Sequence, residues 1–190
     1  MKVARSESKE KFVIAAIKEL QVHGIADFSM RRISKECGMS SGAPYKHFKD
    51  KSELIVEAIK HICREWGKVQ RTVIRSCSDD PKELLIEISV AYVKFLCENP
   101  AYQSILMLSD NSLSQDQLAQ KASMTSITEE IIENYCESVE MNDEDRIRKT
   151  YAVRSFIFGA AYLINSGFFK NDEESILLAR RCIEREFDIV

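Results

Sequence analysis

Six glycines and three prolines are all the conformational punctuation in 190 residues. A chain with so few turn-formers runs in long uninterrupted elements, which means helices rather than many short strands. Lys, Glu, Ile, Leu and Ala are plentiful in the stretches between, and 45% of the chain is apolar, aromatic or Cys, enough to bury a core. The expected class is all-α. The longest apolar run, Phe156 to Ile164, is nine residues long, half of the roughly 20 that a bilayer span needs. From Met1 to Glu7 the chain enters a charged stretch at once, without the apolar core or cleavage site of an export signal, so a cytoplasmic location is expected.

The sparse punctuation divides the chain into about nine helical segments. Phe12, Ala15, Ala16 and Leu20 recur at helical spacing over Glu7 to His23, and Gly24 ends that segment. Ser29 caps a second, short helix with Met30, Ile33 and Cys37 on one side, and Gly38 stops it. A third, of about two turns, is expected from Ser41 to His47, with Pro44 tolerated in its first turn. The fourth runs from Lys51 to about Ser76. Asp80-Pro81-Lys82-Glu83 places a cap, an N1 proline and an N3 glutamate ahead of a fifth helix to about Glu98. Asn99-Pro100 opens a sixth, to about Ser109. A seventh is expected from Ser114, an eighth from Asn142 or Asp143, and a ninth from Asn171 or Asp172 almost to Val190.

Charge is segregated along the chain. Residues 1 to 75 hold 16 Lys and Arg against 9 Asp and Glu, whereas residues 76 to 190 hold 11 against 21. A basic N-terminal third on an acidic body outlines a polyanion-binding module joined to a part that does not touch the polyanion. The six cysteines, at 37, 63, 77, 97, 136 and 182, lack regular spacing and read as reduced thiols. No Cys-x-x-Cys or paired histidine spacing supplies a metal site, and no cofactor is expected. Nor does any nucleophile elbow or Gly-rich phosphate loop support an enzyme.

The Ser29-capped helix, the turn at Gly38-Met39-Ser40 and the short helix after it form a helix-turn-helix, whose second helix enters the DNA major groove. The surrounding residues carry more. Ala15-Ala16, Gly24, Phe28-Ser29-Met30-Arg31-Arg32-Ile33-Ser34 and Cys37-Gly38-Met39-Ser40-Ser41-Gly42-Ala43-Pro44-Tyr45-Lys46-His47-Phe48-Lys49-Asp50-Lys51-Ser52-Glu53-Leu54 follow one another in register. Over residues 7 to 56 this resembles the TetR family of bacterial transcriptional regulators. Ser34 and Cys37 stand where that family usually has alanine, and Phe28 where a smaller residue or Thr is common.

The resemblance implies a homodimeric DNA-binding regulator, by family default a repressor released by a small molecule. The division expected is a DNA-binding domain over 1–50 and a regulatory and dimerisation domain over 51–190. It further implies phosphate contacts from Ser29, Tyr45, His47 and Lys51, whose hydroxyl, imidazole and ammonium groups suit phosphate oxygens. Base readout falls to Ser41, Gly42, Ala43 and Lys46: Gly42 and Ala43 allow close approach, and Lys46 suits guanine O6 or N7. Of Arg31 and Arg32, one is expected at the DNA and the other in solvent.

Beyond residue 50 the expectations come from periodicity. Tyr151 to Ile164 is apolar around nearly its whole circumference, and Ile176, Ala179, Ile183 and Phe187 form one stripe, widened by Leu178, Cys182 and Ile189. Two such helices suggest a seam with a second copy, built from Tyr151, Phe158, Tyr162, Ile176, Ala179, Ile183 and Phe187. Effector-pocket candidates are Trp66, Val69, Val73, Tyr92, Phe95, Met107, Ile131 and Phe156, on helices expected to enclose the body. The competing reading is a ligand-sensing or partner-binding helical module that no longer binds DNA.

Overall fold

A computed structural model describes residues 2–108, 111 and 113–188, with side chains from residue 7 onward. The helices are α1 (Lys2–His23), α2 (Met30–Glu36), α3 (Lys51–Ser76), α4 (Pro81–Glu98), α5 (Pro100–Leu106), α6 (Gln115–Ser123), α7 (Ser126–Ser138), α8 (Asp143–Asn165) and α9 (Glu173–Asp188), with a 3-10 turn at Pro44–Lys46. There is no strand among the described residues, and the fold is all-α. The sites expected for a sixth-helix end near Ser109 and for Ile189 lie outside the described residues.

Most helix starts follow the capping chemistry of the sequence. The Asp80 carboxylate accepts from the Lys82 N–H, and Ser114 and Gln117 form a reciprocal capping box. Asn142 accepts from the Asp145 N–H, and Asp172 from that of Ser175. Glu83 departs from its expected capping role: its carboxylate pairs with Arg180 at 2.8 Å. The helix expected from Ser114 is two helices, broken at Met124-Thr125. The Ser123 hydroxyl donates to the Gln120 carbonyl and so competes with the helical ladder there.

Two compact units are formed, one from Met1–Glu65 with Ala101–Met124, the other from Trp66–Pro100 with Thr125–Val190. In the first unit Leu54, Ile55, Ala58, Ile59 and Ile62, all from the first half of α3, are fully buried along with Phe12, Ile33 and Phe48. The first half of α3 therefore supplies one wall of this core, beside α1, the short α2 and the 3-10 turn. In the second unit α4 is central, packed against α7, α8 and α9, with Ile88, Val93 and Leu96 fully buried. Arg180 ties α9 to α4 through Glu83 and Glu87. The six cysteines are free thiols, and burial pushes the Cys97 thiol up to about 11.

Candidate nucleic-acid interface

The start of α2 is built from two directions. Ser29 is extended (φ −129°, ψ 111°) and its hydroxyl accepts from the Arg32 N–H at 3.4 Å, the expected N-cap. From α1, Glu19 Oε1 accepts from the Ser29 N–H at 3.0 Å and from Arg32 Nε at 2.8 Å, and Arg32 Nη2 also donates to the Asp27 carbonyl. Hydrogen bonding to Glu19 lifts the Arg32 guanidinium further above its usual range. Arg32 is therefore occupied within the chain. Arg31 is exposed and makes no ion pair among the described residues. Of the two arginines, only Arg32 is engaged by Glu19.

Helix α2 ends in a full Schellman motif. Met39 N–H donates to the Ser34 carbonyl at 2.9 Å and Gly38 N–H to that of Lys35 at 3.1 Å, with Gly38 at φ +67°. Only glycine takes that backbone without strain. The two-turn helix expected over Ser41 to His47 is not formed. The chain makes successive tight turns: Ala43 N–H donates to Ser40 O, Lys46 N–H to Ala43 O, and His47 N–H to Pro44 O. Pro44 has no N–H to donate, and Ser41 and Gly42 are weak helix formers, so the shorter 3-10 geometry prevails.

That tight geometry still sorts the side chains. Ser41, Gly42, Tyr45 and Lys46 are exposed, Ala43 is half-buried and Pro44 is buried. A Cβ added at Gly42 would meet no atom within 4 Å, and its φ is not positive. Glycine at 42 is therefore not required by the chain's own packing. His47 is half-buried, its ring 5.7 Å from Phe12 and 6.1 Å from Phe48, so it is in part a core residue. Lys51, expected on phosphate, docks inward. Its Nζ donates to the Ile25 carbonyl at 2.8 Å and lies 5.9 Å from the Phe28 ring centroid.

Sequence reasoning missed Glu19, and the signal was there. It falls on the α1 face with Phe12, Ala15, Ala16 and Leu20, all buried. A carboxylate on a buried face needs a partner, and that partner marks a designed junction.

In the second unit the expected effector residues do not surround an empty space. Trp66 lies 4.6 Å from Tyr92 and 5.4 Å from Phe95 between ring centroids, and Tyr92 is 6.0 Å from Phe158, so these aromatics fill one another's space. Val69 and Val73 are half-buried and Ile131 is buried, while Phe156 and Met107 are exposed, Met107 at 58% and in the first unit. A cavity of about 60 Å³ lies elsewhere, among Leu85, Ser89, Ile132, Tyr135, Val153, Ile157 and Phe187. Lys149 borders it, its ammonium donating to the Glu186 carbonyl at 2.7 Å in the last turn of α9.

The expected seam is only half exposed. Ala179, Ile183 and Phe187 are buried inside their own unit, because the α9 stripe is the face that α4 and α8 cover. Ile176 and Phe158 are half-buried. Tyr151 and Tyr162 stand out at 76% and 62% exposure, joined by exposed Ile147, Leu177 and Leu178. An apolar groove of about 200 Å³ between α8 and α9 is lined by Phe156, Gly159, Ala160, Leu163, Leu178 and Cys182.

Residues 13–58, the segment carrying the capped α2, the Gly38 turn and the exposed Ser41 to Lys46, match the family described as bacterial regulatory proteins, tetR family. Over this segment the chain is similar to the TetR family. An uncharacterized HTH-type transcriptional regulator of Bacillus subtilis, YerO, is 27% identical over 113 residues, 59% of this chain and 39% of that protein. An HTH-type transcriptional regulator of Staphylococcus aureus strain USA300 is 37% identical over 60 residues, 32% of each chain. These matches span well under half the length of either relative. A crystal structure of a TetR family transcription regulator from Marinobacter aquaeolei VT8 superposes with a TM-score of 0.80 at 17% identity, covering 98% of both chains, and shares the fold.

Proposed function

We propose that the protein is a homodimeric, sequence-specific DNA-binding regulator of transcription. The observation that carries this reading is the Ser41 to Lys46 turn: small and polar groups held rigidly between the Gly38 turn and the buried Pro44, exposed, and with Gly42 unneeded by the fold. Ser29, Tyr45, His47 and Arg31 contact phosphates and set register, while Ser41, Gly42, Ala43 and Lys46 face base edges. Residues 1–50 form the reading head, and residues 51–190 pair the copies and respond to an effector.

Pairing uses the exposed side of α8 and α9, with Tyr151, Tyr162, Phe156 and Leu178 as its apolar anchors. Two heads then meet half-sites one helical turn apart, about 34 to 36 Å. A small molecule entering the second unit at the cavity beside Lys149 would have to open it, because 60 Å³ is far below the roughly 300 Å³ of an ordinary ligand site. Helix α3 has residues in both units, so such an opening reaches the head through a continuous helix. A hundredfold loss of DNA affinity requires about 2.7 kcal/mol of coupling. Repression relieved by the effector, in the cytoplasm, is the mode this reading adopts.

Selection of bound sequences from random duplex DNA tests it. The expected result is a two-fold symmetric site bound by a dimer. Absence of any sequence preference, from a chain that remains monomeric at micromolar concentration, overturns the reading in favour of a sensing module without DNA binding.

A further inference from the structure

Arg32 is exposed at the start of α2, within the segment proposed to face DNA, and would be a ready phosphate contact if free. It is not free. Its Nε and Nη2 lie 2.8 and 2.5 Å from Glu19 Oε1, and its Nη2 also donates to the Asp27 carbonyl. Glu19 is 6% exposed and on the apolar side of α1, so its charge is held in a poorly screened setting where it attracts the guanidinium strongly. The same Oε1 accepts from the Ser29 N–H at 3.0 Å, while Oε2 lies 3.9 Å from His23 Nε2. One buried carboxylate therefore fixes the backbone just before α2 and the cation one turn into it.

We propose that Glu19 is a specificity-determining positioning residue: it holds the start of α2 in register and keeps the Arg32 cation off DNA phosphates. This rests on the DNA-binding reading above. A cation neutralised inside the protein releases no counterion on binding, so Arg32 adds nothing to sequence-independent affinity, whereas Arg31 does. With Glu19 removed, Arg32 turns to the backbone of any duplex, and the α2 start loses the anchor that sets its register on the right one. Non-specific affinity rises while specific affinity falls. Loss of structure alone lowers both.

The test uses the full chain and two duplexes of equal length, the selected site and a random sequence, titrated across a range of KCl. Glu19→Gln keeps the shape and one acceptor but loses the charge. It is expected to cut the ratio of specific to random affinity at least tenfold and to steepen the log K against log salt slope on the random duplex by about 0.9. Glu19→Gln combined with Arg32→Ala is expected to return that slope to the wild-type value. Arg32→Ala alone is expected to lower specific affinity with an unchanged slope, and it carries the test if Glu19→Gln does not fold. An unchanged ratio and slope in Glu19→Gln, or a slope flattened by about one in Arg32→Ala, overturns the proposal and leaves the DNA-binding reading standing. A wild-type chain with no preference between the duplexes removes that reading and this proposal together.

Discussion

Lys51 Nζ, at the first residue of α3, donates to the Ile25 carbonyl at 2.8 Å, linking the long helix to the turn between α1 and α2. The family resemblance implies a phosphate contact for a lysine in that place, yet its ammonium is directed at the protein. Lys51→Ala is expected to cost about 1 to 2 kcal/mol of stability, the loss of a charged hydrogen bond, and to leave the salt slope of DNA binding unchanged. Denaturant unfolding and salt titration measure the two effects separately. A flattened slope with unaltered stability would restore the phosphate role.

Arg31 has the opposite expectation. It is exposed and unpaired among the described residues, so Arg31→Ala should leave the unfolding midpoint within experimental scatter and flatten the salt slope by about 0.9. A salt titration that showed no change in slope would place this arginine away from the DNA.

Two glycines separate folding from recognition. Gly38→Ala forces a Cβ into φ +67° and should destabilise the head by about 1 kcal/mol. Gly42→Ala meets open space and should not lower the melting temperature, while weakening binding to the selected duplex. If Gly42→Ala bound as tightly as the wild type, close backbone approach at that position would be ruled out.

On α8 and α9 the exposed and buried members of the same apolar pattern should behave differently. Tyr151→Glu with Tyr162→Glu is expected to yield folded monomers in sedimentation, because both rings stand in solvent on each protomer. Ile183→Ala should instead cost about 2 to 5 kcal/mol of folding stability, since its side chain is fully buried within the protomer. A dimer unaffected by both tyrosine changes would move the seam elsewhere.

Acid should weaken the first unit through Glu57. Burial pushes its carboxyl up, but hydrogen bonds from Lys9 and Lys60 outweigh that and hold it below the usual carboxylate range. A carboxylate with a lowered folded value contributes stability that is present above its unfolded value and lost as pH falls through the folded one. Glu57→Gln is therefore expected to lower stability near neutrality and to flatten its decline in acid, as followed by urea unfolding at a series of pH values.

The sequence alone determined what depends on neighbours along the chain. Helix starts at Ser29, Asp80, Ser114 and Asn142, and the Gly38 stop, are local hydrogen-bonding problems with local solutions. The all-α class follows from the same logic. Tertiary structure decided what depends on which groups meet across the chain. Periodicity marked Ile183 and Tyr162 alike as apolar, and only packing put one inside the protomer and the other in solvent. It likewise joined Lys51 to Ile25, filled the space around Trp66 with Tyr92 and Phe95, and gave Arg32 rather than Arg31 to Glu19. A side chain's role is set by its strongest available partner, and partners ten or more residues away in sequence become available only once the chain has folded.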